Sequence, residues 1–282
     1  MHTVKRIMFT FNALFLILIS SISVADYEDI VRAHSPTVLN GLLFVSTIDG
    51  YLKAINLIDG KIKWSLKEDP ILISPKAILD NFTFLPDPQD GGLYVLKHGQ
   101  LMKLPYSIPQ LVSASPCRTS DGVFYAGSKK DVWLEIDAVK GLKVGELSLY
   151  HTDRQCPLNK NTSVFIGRSE YKLTMVDPKN RNRRWNATFT DYSSHLLPGI
   201  DKLAADPSYP YQHFTSTSGG RVLAVNGAEG NLAWDVDVGS LVVAMYLLQK
   251  DGLHKLPYTV IGRETLEEFI KVIFSSFSFV LK

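Results

Sequence analysis

The chain has 282 residues, 30 Lys and Arg against 28 Asp and Glu, and two cysteines. Lys5 and Arg6 lie in an N-terminal leader, and without them the basic count equals the acidic 28. A near-neutral chain lacks the basic excess that phosphate binding needs, which argues against nucleic acid as a partner, and two cysteines cannot build a dense disulfide framework.

Lys5 and Arg6 precede an apolar run from Ile7 to Ile19, and Ser23-Val24-Ala25 offers small residues where a signal peptidase reads. Residues 1–25 are therefore expected to be a cleaved signal peptide, since the run is shorter than the ~20 residues of a membrane span. What remains is enough for one sizeable β domain.

Next comes the phrase Ala54-x-Asn56-x3-Gly60-x3-Trp64, which returns as Ala224-x-Asn226-x3-Gly230-x3-Trp234. A repeated spacing announces a repeat architecture. Leu52, Ala54 and Asn56 alternate with Tyr51, Lys53 and Ile55, and Ile62, Trp64 and Leu66 alternate with Lys61, Lys63 and Ser65. Period two on both sides of Asp59-Gly60 predicts a β-hairpin with its tryptophan on the buried side. Two weaker copies keep the register: Glu135, Asp137, Gly141 and Gly145 lack the tryptophan, and Met175, Asp177, Arg181 and Trp185 lack the glycine.

Between the copies lie short strands rich in Val, Ile, Phe and Tyr, punctuated by Asp-Gly pairs beginning at 49, 59, 90, 121 and 251. Asn81, Asn161 and Asn186 head N-x-[ST] sequons, each a weak signal alone. Cys117 and Cys156 adjoin Pro116 and Pro157, which places them in expected accessible loops, either bridged to each other or available to partners. The segment from Asp191 to Tyr211 reads as a long loop, and helical periodicity is scarce. Residues 267–282 form a divergent tail, apolar and aromatic from Phe269 to Leu281 except for Lys271 and three serines. Such a run must pack, meet a membrane surface or belong to an incomplete chain.

Enzyme signatures are missing from the sequence: there is no G-x-S-x-G, H-E-x-x-H or P-loop. The seven histidines never stand at a metal-ligand spacing, and no Asp-Gly turn has the alternating acids of a calcium loop. No catalytic residue, metal or cofactor is expected, and the pattern favours a binding or assembly module.

The repeat resembles the quinoprotein-type β-propeller repeat, which implies an all-β, propeller-like array of hairpins, incomplete in this chain. Leu43 to Gly50, Trp64 to Pro70, Phe84 to Pro88, Ala114 to Arg118 and Arg184 to Thr188 together resemble the luminal domain of the inositol-requiring kinase/endoribonuclease, the endoplasmic-reticulum sensor of the unfolded-protein response. The likeness runs from about Leu42 to Leu266, so residues 26–266 are expected to form the sensor domain. It is closer than the likeness to the PERK-type sensor.

The resemblance implies a domain in the endoplasmic-reticulum lumen that forms a homodimer, binds unfolded polypeptide and the chaperone BiP, and reaches the membrane only through parts absent here. The family's kinase and ribonuclease are absent too, so this chain is not expected to be an enzyme. Ser113, Pro116, Lys129, Asp131 and Trp133 match the family's dimer contacts. From the residues alone, Lys129 to Trp133 is a charged strand edge, blunted by lysine or paired lysine-to-aspartate across a two-fold axis. Tyr171 and Met175 are either peptide-groove or core residues. Cys117 and Cys156 are possible redox thiols, and Cys156, which matches a family cysteine, implies a thiol oxidoreductase as partner. The competing readings are a secreted quinoprotein-like oxidoreductase and a non-catalytic β-propeller scaffold.

Overall fold

The computed structural model describes residues 41–76, 82–97, 99–120, 122–148, 163–193, 209–249 and 252–280. The leader, Asn81, Cys156 and Asn161 lie outside them. The N-terminal half contains β1 (Leu42–Thr47), β2 (Tyr51–Asn56), β3 (Ile62–Lys67), β4 (Leu72–Ile73), β5 (Thr83–Pro86), β6 (Gly92–Lys97) and β7 (Gln100–Ser107). Helix α1 (Ile108–Ala114) leads into β8 (Cys117–Arg118), β9 (Phe124–Asp137), β10 (Lys143–Ser148), β11 (Ser163–Val176) and β12 (Arg184–Ser193). The remainder is β13 (Tyr211–Ser216), β14 (Arg221–Asn226), β15 (Leu232–Asp237), β16 (Val242–Gln249), β17 (Gly252–Leu256), β18 (Thr259–Ile261) and helix α2 (Arg263–Val280).

The strands form four sheets arranged as a propeller-like ring, so the fold is all-β in the way the repeat predicts. The first has the order β17-β16-β1-β2-β3, and it joins the chain's early strands to its late ones. The second runs β10-β9-β11-β12-β4 with β8 beside β9, the third β15-β14-β13-β18 and the fourth β5-β6-β7.

The repeat's residue types follow from its register. Trp64 lies directly across from Ala54, and Trp234 from Ala224. A small residue opposite the indole gives the ring room to lie over the sheet. Asn56 Oδ1 accepts from Ile58 N at 2.9 Å, and Asn226 Oδ1 from Ala228 N at 3.0 Å, so the asparagine builds the turn that the glycine completes.

Each clear tryptophan then reaches the next sheet. Trp64 Nε1 donates to Ala138 O at 2.8 Å and its ring covers Gly141; Trp234 Nε1 donates to Leu57 O at 2.7 Å and its ring covers Gly60. A Cβ on Gly60 would stand 2.8 Å from Trp234, so glycine is required there for the ring's approach as well as for its φ of 68°. The repeats are thus pegs between sheets, and the third sheet is pinned to the first and the first to the second.

The main core draws on the first, second and fourth sheets, with Phe44, Trp64, Phe84, Leu93, Leu134, Trp185 and Tyr246 all buried. A smaller cluster around Ile55, Trp234 and Met245 fills the junction of the first and third sheets. One expectation needs correction. The segment 191–211 is strand at both ends, because β12 runs to Ser193 and β13 begins at Tyr211. Helix α2 spans the expected boundary at 266; Leu266 and Ile270, one turn apart, pack on Leu223, and the Phe269 ring lies tilted with its centre 5.0 Å from that of Phe214.

Candidate interaction face

The site residues expected from the family likeness gather on or beside β9. This strand pairs with β11 along its whole length, from Phe124 opposite Val176 to Asp137 opposite Ser163. On its other side β8 takes Phe124 and Tyr125, and β10 takes Val132 to Ile136. Among the described residues no strand pairs on that side with Ala126 to Asp131. Six residues of strand edge, about 20 Å of backbone, are left between two pairing partners.

The neighbours of this edge are fixed by local packing. Helix α1 begins with a capping box in which Ser107 Oγ accepts from Gln110 N and Gln110 Oε1 accepts from Ser107 N. It lies against β9 at Gly127, where a Cβ would meet Val112 Cγ2 at 2.7 Å. Gly127 N donates to Ser115 Oγ at 2.6 Å, which holds the end of the helix to the edge. Ser113, whose Oγ donates to Pro109 O, and Pro116, joined to Ser115 by a cis peptide bond, are exposed beside it.

Lys129 and Asp131 stand on one face of β9, two residues apart, and their side chains form an ion pair of 2.9 Å. Asp131 also accepts from Ser169 Oγ at 2.5 Å. The Lys129 ammonium lies 5.7 Å from the Tyr171 ring centre, on the residue directly across in β11. Partial burial raises the Tyr171 phenol above its ordinary value, against the pull of Lys129. Trp133 is half-buried opposite Gly167, so no side chain from β11 stands across from its ring. Lysine and aspartate on a half-exposed edge satisfy each other within the chain, at a net gain of only about 0–1 kcal/mol. They are available to exchange partners without leaving a buried charge unpaired.

Met175, left open between groove and core, is fully buried, while Tyr171 is half-buried. Cys117 is half-buried in β8, packed against the main core rather than in an open loop, with Tyr125 as its strand partner. Asn186 is exposed on β12, opposite Thr174.

One feature near β9 gave no sequence signal. Burial in the second sheet switches faces along its length: Tyr125, Leu173, Met175 and Trp185 are buried at one end, but Val132, Leu134, Ile166 and Arg168 at the other. The odd and even positions belong to opposite faces, so the twisted sheet lends one face to each of two neighbours. Arg168 thereby points into the junction with the first sheet, its guanidinium 3.9 Å from Glu68 and 3.8 Å from Asp69. Lys143 reaches the same Glu68 at 3.3 Å. The buried Tyr192 phenol beside them is pushed up by desolvation, against the pull of Arg168.

Elsewhere, an open cleft of about 450 Å³ between the third sheet and α2 is lined by Arg221, Asp235, Asp237, Arg263 and Glu267. Its arginines are already paired, Arg221 with Asp235 and Arg263 with Glu267. Among the described residues no group of three or more His, Cys, Asp and Glu converges on a metal position, and no helix is long and apolar enough to cross a membrane.

A ring of hairpin sheets pinned by tryptophans is the architecture of the quinoprotein-like repeat proteins. The chain belongs to the PQQ_2 family, whose model, described as outer membrane protein assembly factor BamB, matches residues 25–187. Within that class its similarity is to the lumenal part of Ire1. It is 48% identical to the serine/threonine-protein kinase/endoribonuclease ire-1 of Caenorhabditis elegans over 94% of this chain and 27% of that protein. It is 39% identical to the serine/threonine-protein kinase/endoribonuclease IRE2 of Homo sapiens over 80% of this chain and 23% of that protein. The compact lumenal domain of yeast Ire1 shares the fold, with a TM-score of 0.60 at 20% identity over 79% of this chain and 76% of that one. Together these matches support the assignment to the Ire1 lumenal domain that the sequence motifs indicated. The chain spans about a quarter of the length of the curated relatives it matches.

Proposed function

We propose that this chain is an endoplasmic-reticulum stress-sensing luminal module that works as a homodimer, with the β9 edge as its two-fold contact. The observation that carries the reading is a coincidence of position. The positions that family likeness assigns to dimer contact, Lys129, Asp131 and Trp133 with Ser113 and Pro116, lie along or beside the stretch of β9 with no strand partner on that side among the described residues. Antiparallel self-pairing centred on Lys130 would place Lys129 of each copy opposite Asp131 of the other, a self-complementary arrangement. Trp133, half-buried at the margin, is the anchor, since tryptophan is enriched where truncation costs binding most.

Unfolded polypeptide is the ligand class of this reading, taken in extended form over the Tyr171 side of the paired sheets. A BiP-type chaperone restrains the module, and in the longer proteins of the family the luminal dimer brings kinase and endoribonuclease parts together. Asn186, exposed on its strand, is the described sequon open to glycosylation. Cys156 is the proposed thiol for exchange with an oxidoreductase, and mixed-disulfide trapping that is unchanged by Cys156→Ser would remove that role.

The dimer is tested by charge reversal. Asp131→Lys should weaken self-association at least about ten-fold by placing like charges across the axis, and Lys129→Asp combined with Asp131→Lys should restore it. Equal weakening in the double variant would sink the proposed register.

A further inference from the structure

The peg-and-glycine contact has a fourth copy of its receiving turn, and that copy is exposed. Four turns share one backbone form. In each, an Asn or Asp takes its own side-chain turn bond and accepts, through its carbonyl, from the N–H of a glycine four residues on: Gly60 to Asn56 at 2.9 Å, Gly91 to Asp87 at 2.9 Å, Gly141 to Asp137 at 2.7 Å and Gly230 to Asn226 at 2.7 Å. The glycine φ values are 68°, 69°, 68° and 68° in the same order. Three of these glycines are covered by rings from elsewhere in the chain. Trp234 lies on Gly60, Trp64 on Gly141, and Phe189 with Pro109 on Gly91. On Gly230, among the described residues, nothing lies within 4 Å of where a Cβ would stand, and Gly227 to Gly230 are all exposed.

The chain has no tryptophan of its own to place there. It has four, and Trp64, Trp185 and Trp234 are buried while Trp133 sits on β9 in another sheet. We infer that the Asn226 to Gly230 turn is a docking site for a tryptophan of a further repeat hairpin carried on a separate polypeptide segment. The indole would lie flat on the peptide planes exposed at Gly230, as Trp234 does on Gly60. Its N–H would donate to Gly227 O, the carbonyl three residues before the glycine, as the Trp64 and Trp234 N–H groups do to Ala138 O and Leu57 O. A phenylalanine would cover the glycine but bring no donor, so the site prefers indole.

The test uses the isotope-labelled chain and a backbone-cyclised hairpin peptide copying residues 51–67, at up to about 1 mM so that weak binding is read. Saturable NMR shifts confined to Ala228 to Asn231 are expected, at least about ten-fold weaker with the peptide's tryptophan changed to Ala. Gly230→Asn separates contact from folding. Asn tolerates the left-handed turn, so the thermal midpoint should hold, but its Cβ would cover the site and abolish the shifts. Gly60→Asn, which would collide with Trp234, should lower the midpoint instead. No shifts, shifts centred elsewhere, or shifts that survive the loss of the indole or Gly230→Asn would overturn the inference.

Discussion

At the scale of single residues, the tryptophans and one histidine carry most of what can be measured. Trp234 closes the junction of the first and third sheets with one hydrogen bond and a buried ring, so Trp234→Ala should cost about 3–5 kcal/mol in chemical denaturation. Trp234→Phe should cost less, because it keeps most of the buried area and loses the donor to Leu57 O. His213 is the titratable counterpart. It is buried beside Trp234, its Nε2 2.6 Å from the Tyr209 hydroxyl, and desolvation lowers its pKa to about 4. An unfolded histidine titrates near 6.5, so below that value the unfolded chain binds a proton that the folded one refuses. Stability from this group is complete above about pH 6.5 and declines as pH falls towards 4, by an amount on the order of 3 kcal/mol. Urea midpoints across that window should flatten in His213→Gln; an unchanged slope would show that other groups set it.

At the scale of elements, the hairpins were legible and their partners were not. Ala54, Asn56, Gly60 and Trp64 could be read as a unit because the spacing sets a cross-strand pair, Ala54 opposite Trp64, and a turn between them. Where the tryptophan goes next could not be read, since Trp234 and its acceptor Leu57 are 177 positions apart. Strand β9 showed its charged residues in sequence, but the stretch left without a strand partner among the described residues is set by the pairings with β8 and β10, which no local pattern announces. Arg168 was silent because its burial depends on the sheet changing faces at mid-length, which alternation alone does not announce. Helix α2 was hidden by the apolar tail, although Leu266, Ile270 and Ile273 are all buried at helical spacing. The element-scale prediction concerns Gly127, where α1 touches β9. Gly127→Val, whose Cβ would meet both Val112 Cγ2 and the Lys172 carbonyl of β11, should displace the helix with its Ser113 and Pro116 margin, weakening self-association and lowering the thermal midpoint together.

For the whole molecule, the propeller-like ring leaves two features without a partner among the described residues, the β9 edge and the Asn226 to Gly230 turn, and they lie in different sheets. The first defines the proposed sensor dimer. Sedimentation velocity of residues 26–282, over a series of concentrations, tests it most directly. The wild type should pass from monomer to dimer as concentration rises, and Trp133→Ala should remain monomeric at concentrations where the wild type is dimeric. A wild type that stays monomeric throughout, or a Trp133→Ala chain that dimerises as tightly, would contradict the account.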